Sequence, residues 1–101
     1  MSVLEKEEEA RFTRWLKRNK IKFKKKAYGE LLDRWVLLPY GHLLIIELKR
    51  KDGGVLSRRQ EIEVAELQKL GYDVEVCYGA DRAIEEVRKR LEAPRVPKEG
   101  Y

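Results

Sequence analysis

The chain has 101 residues, room for one small domain. Its hydrophobic share of 43% is enough for a modest core and argues against global disorder, and its charged share of 41% means that most charges are solvated or face a partner. The 23 basic and 18 acidic residues leave a net charge of +5, which favours a polyanionic partner without specifying one. A single cysteine, Cys77, excludes an intrachain disulfide and a thiolate zinc site, and reads most simply as a buried apolar residue. The single histidine, His42, follows Gly41 in a turn, a poor place for a preorganised base, and zinc sites built on His or Cys pairs are excluded within one chain. No segment approaches the roughly 18 apolar residues of a membrane span. The N-terminus is acidic rather than basic, so no signal peptide is expected and an intracellular, cytoplasmic chain is.

Residues from about Val3 to Arg18 predict a helix, because Leu4, Glu8, Phe12 and Trp15 or Leu16 share one stripe. Its glutamates lie early and its lysines and arginines late, which suits the helix dipole. Ile21-Lys22-Phe23-Lys24 alternates apolar and basic, predicting a strand with one cationic face that Lys25 and Lys26 continue. Tyr28-Gly29-Glu30 is a break, Trp35 to Leu38 a second strand, Pro39 to His42 a turn, and Leu43 to Lys49 a third, central strand. After the loop Lys51-Asp52-Gly53-Gly54, Ser57-Arg58-Arg59-Gln60 has the form of a capping box. It opens a helix to about Leu70, with Gly71 as its stop. Asp73 to Cys77 predicts a fourth strand with Val74 and Val76 inward, and Ala80 to Leu91 a last helix. The order α-β-β-β-α-β-α implies an α/β domain, a single sheet with helices on its faces. Residues 1–93 form the expected domain, and the prolines and glycine of 94–101 mark a loose tail.

The third strand carries the chemistry. Residues two apart on a strand share a face, so Glu47 and Lys49 lie side by side after Leu43 and Ile45, with Leu44, Ile46 and Leu48 facing the other way. A hairpin closing near Pro39-Tyr40-Gly41 brings Asp33 towards Glu47. Two carboxylates with the Leu48 carbonyl make an oxygen site for Mg²⁺ or Mn²⁺. Such a metal activates a bound water and stabilises charge on a phosphate, and Lys49 could orient or deprotonate that water. The plainer reading of Glu47 and Lys49 is a surface ion pair of little energetic weight, but the apolar flanks imply a buried strand, where a charged pair is costly.

An acid, a hairpin and then E-x-K in an apolar strand resembles the pattern of the PD-(D/E)XK nuclease superfamily. The run Ile46-Glu47-Leu48-Lys49-Arg50, the glycine loop, Leu56-Ser57-Arg58-Arg59-Gln60, a helix, and Gly71-Tyr72 before the strand Val74-Glu75-Val76 is similar to the virus-type replication-repair nuclease (VRR-NUC) family. The resemblance covers roughly Glu8 to Leu91. It implies a small PD-(D/E)XK-type domain with a central mixed sheet flanked by helices. It also implies a divalent-metal endonuclease acting on branched DNA such as Holliday junctions, as a homodimer whose dyad suits a four-way junction. A phage- or bacterium-type host cytoplasm goes with it. Residue by residue, Asp33 and Glu47 would hold the metal, Lys49 would assist the water, and Gln60 matches the family's glutamine while also completing the capping box. The first-helix glutamate corresponds to Glu8, with Glu5 and Glu9 as rivals and a helix-dipole partner as its plainer role. The family's G-x-P-D is replaced by Gly29-Glu30-Leu31-Leu32-Asp33, which leaves Glu30 as an alternative acid.

Lys22, Lys24, Lys25 and Lys26 on the first strand, with Arg50, Lys51, Arg58 and Arg59 beside the site, are the expected DNA contacts, or a solvated face. Trp15 and Trp35 read as core, and Tyr40 at the hairpin tip as an exposed ring for base stacking or a dimer contact. The rival function is a non-catalytic basic nucleic-acid-binding module or accessory subunit.

Overall fold

The computed structural model describes residues 3–29 and 31–93, and for Val3, Leu4 and Leu31 to Asp33 the backbone alone. Glu30 and the expected tail, 94–101, lie outside the described residues. The chain runs α1 (Val3–Arg18), β1 (Lys22–Tyr28), β2 (Leu31–Leu38), β3 (His42–Lys49), α2 (Arg58–Lys69), β4 (Asp73–Tyr78) and α3 (Ala80–Glu92). This is an α/β domain in the expected order. Several boundaries shift by a residue or more, and two have a clear cause. β2 starts at Leu31 rather than near Trp35, because β1 pairs with it as far as Tyr28 and Leu31. His42 opens β3 instead of ending the turn, because it pairs with Leu38.

The four strands form one sheet in the order β1-β2-β3-β4. β1, β2 and β3 are antiparallel neighbours, so short turns join them. β3 and β4 are parallel, and α2 makes the crossover between them. A single 3-10 turn, Pro39–Gly41, links β2 to β3, with Tyr40 in the left-handed region at φ 62.

Helices cover both faces. Phe12 and Leu16 of α1 and Ala83 and Val87 of α3 pack on Val36, Leu38, Leu44, Ile46 and Cys77. Each fully buried Phe or Leu side chain there contributes roughly 1.5–3 kcal/mol. On the other face Val64 and Leu67 of α2 pack on Ile45 and Val74, with Trp35, Leu43 and Val76 around them. Burial from both sides explains the nearly continuous apolar run of β3. Ser57 caps α2 with both hydrogen bonds of the capping box, and Gly71, at φ +97, ends it.

A polar network fastens α3 to the end of the sheet where β3 and β4 begin. Arg90 donates to both oxygens of Asp73, at 2.6 and 2.8 Å, and to Glu86 and Glu75 at 2.9 and 3.1 Å. The His42 ring Nε2 lies 2.6 Å from Asp73 Oδ2. This end of β3 is opposite the one that carries Glu47 and Lys49.

Candidate active site

Alternation along β3 puts Ile45, Glu47 and Lys49 on the α2 face, since Ile45 packs there and Leu44 and Ile46 pack on the other. Glu47 is 4% exposed. Lys49 Nζ lies 3.9 Å from Glu47 Oε1, and the two side chains are 13% and 6% exposed. A surface ion pair does not describe them. Two charges at the end of a core strand carry a desolvation penalty that their mutual attraction at this separation offsets only in part.

The described β2–β3 ladder ends at Arg34 and Ile46. One step further along the same register stand Asp33 on β2 and Glu47 on β3. The side chain of Asp33 lies outside the described residues, so its register position is what can be given; on its other side it pairs with Lys26. Successive carbonyls of a strand point to opposite edges. The Lys49 carbonyl accepts the Gly79 amide at 2.9 Å, on the β4 side, so the Leu48 carbonyl points towards β2 and the Asp33 position. Glu47, the Leu48 carbonyl and Asp33 thus converge by topology on one corner of the sheet.

The turn that enters β2 is held from α2. Gly29 has φ +59, a conformation that favours glycine, and a Cβ on it would stand 1.8 Å from Glu63 Oε1. Tyr28 donates to Glu66 at 3.2 Å. Glu63 is 3% exposed and accepts from Arg59 at 3.2 Å. Sequence reasoning missed this buried acid on the α2 face. Its signal was the helical spacing of Glu63 to Val64 and Leu67, which puts it at the margin of the buried stripe. The alternative acid Glu30 lies outside the described residues.

The supporting candidates have structural tasks. Glu8 of α1 accepts the backbone amide of Ala80 at the start of α3. Its carboxylate reaches the chain one residue beyond Gly79, the residue that anchors the Lys49 carbonyl, but it serves there as the dipole partner and cap of another helix. Glu9 accepts from Arg34 at 2.9 Å and lies 3.8 Å from Lys25. Glu5 lies in the first turn of α1, half-buried. The Gln60 side-chain oxygen accepts the Ser57 amide at 3.0 Å in the capping box.

The basic residues divide by face. Phe23 packs on the α1–α3 side, so Lys22, Lys24 and Lys26 share the α2 side with Glu47, all exposed, while Lys25 points to α1 and Glu9. Arg50 donates to the Gly53 carbonyl at 3.1 Å and closes its own loop, and Lys51 is exposed. Arg58 pairs with Glu61 at 3.4 Å and keeps 84% of its side chain exposed. Arg59 keeps 67% exposed while pairing with Glu63. Trp15 and Trp35 pack against the two cores, Trp15 with Arg88 over its ring at 5.6 Å, and Tyr40 is 57% exposed.

Among the described residues, no cluster of three or more histidine, cysteine, aspartate or glutamate side chains suits a metal. Among the same residues no helix is long and apolar enough to cross a membrane. No family model, curated protein or solved structure matches the chain.

Proposed function

We propose that this chain is a divalent-metal-dependent endonuclease that hydrolyses phosphodiester bonds in DNA, a virus-type replication-repair nuclease of the PD-(D/E)XK kind. The observation that carries the reading is the pairing of Glu47 and Lys49, almost buried, on one face at the end of a core strand. Burying such a pair is costly, and a site that must desolvate a phosphate accounts for it.

The donor set suits Mg²⁺ or Mn²⁺. The Glu47 carboxylate, the Leu48 carbonyl turned towards β2 and the Asp33 carboxylate are hard oxygen ligands, and such ions keep their remaining positions for water and phosphate. When bound, the metal would supply an activated water and a counter-charge for the phosphate. Lys49, beside Glu47, orients that water or neutralises charge developing on the scissile group. The capping box at Ser57 and Gln60 fixes the start of α2 after the loop that leaves Lys49. Glu8 acts one step away, by holding α3 beside the strand end that Gly79 ties to Lys49. Lys51, Arg58 and Arg59 would meet phosphates. Branched DNA as substrate, a Holliday junction among them, and a homodimer with one site for each side of the junction belong to the same proposal.

The test is cleavage of a labelled four-way junction, a flap and a linear duplex with Mg²⁺, Mn²⁺ or EDTA, by wild type and Glu47→Ala. Metal-dependent cutting that vanishes in Glu47→Ala supports the nuclease and ranks its substrates. Salt-sensitive binding of every substrate with no cutting overturns it in favour of a non-catalytic basic nucleic-acid-binding module, for which the exposed lysines of β1 suffice.

A further inference from the structure

The α2 face of the sheet is only partly covered. α2 packs on Ile45 and Val74, at the β3–β4 side, and meets the end of β1 at Tyr28 and Gly29. Trp35 of β2 packs beside that core, while Lys22, Lys24 and Lys26 stay exposed along the edge strand, with Leu37 46% exposed beside them. Cross-strand register orders the row. Lys26 pairs with the Asp33 position, Lys24 with Trp35, and Lys22 with Leu37. The lysines therefore start in the row of the two acids and lead away from it for about 13 Å, four residues at roughly 3.3 Å each. Where the row ends, at the first residue of β1, a pocket of about 550 Å³ opens on the α1–α3 side of the sheet, between Trp15 of α1 and Arg88 of α3, with Ile21, Lys22, Leu37 and Pro39 also lining it.

We propose that this lysine-lined edge is the track of one unpaired nucleic-acid strand, whose phosphates follow Lys26, Lys24 and Lys22 and which turns round the edge strand at Lys22, so that one of its bases enters the pocket at Leu37. The inference rests on reading Glu47 and Lys49 as a phosphodiester site, because the track begins there. A single file of cations two residues apart matches one phosphate chain. A duplex presents two, and offers no free base to an apolar pocket. Backbone cations beside apolar and aromatic surfaces are the usual means of holding single strands without reading sequence. Lys25, on the same strand but turned to Glu9, lies off the track.

The test is fluorescence anisotropy in EDTA, with labelled oligothymidylate and a blunt duplex of equal length, at several salt concentrations. The variants are the triple Lys22→Gln, Lys24→Gln, Lys26→Gln, the single Leu37→Ser, and an equal charge loss on the far side of the domain, Arg14→Gln, Lys17→Gln, Arg18→Gln. Wild type should bind the single strand more tightly than the duplex. The β1 triple variant should lose at least about tenfold in affinity and flatten the salt slope by roughly 0.7 for each lost contact. Leu37→Ser should weaken single-strand binding several-fold, roughly the loss of one stacked base, at an unchanged salt slope. Equal losses in the two triple variants, tighter binding of the duplex, or no binding of either probe would overturn the track. Binding as expected by a wild type that cuts nothing in Mg²⁺ would retire the nuclease and leave the track standing. Normal cutting of a flap by the β1 triple variant would do the reverse.

Discussion

The carboxylate of Glu8, in the second turn of α1, receives the backbone N–H of Ala80, the first residue of α3. It couples two helices 72 residues apart in sequence, and it satisfies one of the amides that every helix N-terminus leaves without an intrahelical partner. Ala80 is fully buried, so water is a poor substitute for the carboxylate. Glu8→Ala should destabilise the domain by about 1–2 kcal/mol in urea unfolding, and Glu8→Gln, which keeps an acceptor, by less than half of that. Capping also sets the expectation for activity, namely that Glu8→Gln retains most cleavage. A loss of about a hundredfold at unchanged stability would make Glu8 a catalytic acid instead.

Glu47 and Lys49 should be coupled energetically as well as chemically. Glu47→Ala leaves the Lys49 ammonium in a nearly buried place without its acid, and should destabilise the domain by about 1–3 kcal/mol. The double variant Glu47→Ala, Lys49→Ala should then cost less than the sum of the singles, by about 1 kcal/mol. Strict additivity in urea denaturation would mean that water screens the pair.

The network at the other end of the sheet predicts an acid limb. The Arg90 guanidinium donating to Asp73 holds its carboxyl below the ordinary aspartate range, against the effect of burial and with help from His42. Burial pushes Glu86 up, but hydrogen bonds from Arg90 and Lys89 outweigh it and leave it lowered too. A carboxyl that titrates lower in the folded than in the unfolded state binds its proton first on unfolding. Its contribution is therefore complete above the ordinary carboxylate range and is lost as pH falls through and below it. Between about pH 5 and pH 3 wild type should lose more stability than Asp73→Asn, by about 1 kcal/mol, while Asp73→Asn starts lower at neutral pH. Parallel acid limbs for the two proteins would show that Asp73 does not set the dependence.

Cys77 should be inert in the folded protein. It is fully buried between β4 and α3, and burial, with Glu75 and Glu86 nearby, pushes its thiol up to about 12. Thiolate is the reactive form, so alkylation in native buffer should run at least about a hundredfold slower than in urea. Modification at similar rates in the two conditions would mean that β4 opens readily.

Much of the fold was legible because local rules and tertiary packing agree. α1 runs over the expected span, since its glutamate-first, lysine-last order and its Phe12–Leu16 stripe serve both the helix and the core. Ser57 and Gln60 form the capping box that their spacing announces. The early start of β2 was not legible, because Leu31-Leu32-Asp33-Arg34 has no alternation, and pairing with β1 extends the strand there.

The candidate site divides in the same way. By itself the sequence determined that Glu47 and Lys49 share one face of an apolar strand, because the period of two is a property of the chain. It also determined a cationic face on β1 by the same period. Only the tertiary structure decided which lysines join the acid row, since that depends on Phe23 turning to α1 and on register with β2. It alone committed Glu8 to Ala80, buried Glu63 against the β1–β2 turn, and gathered Arg90, Asp73 and His42 at the far end of the sheet. Those contacts join residues far apart in sequence. No local pattern encodes them, because their partners are chosen by how helices seat on the sheet and not by the spacing of neighbours along the chain.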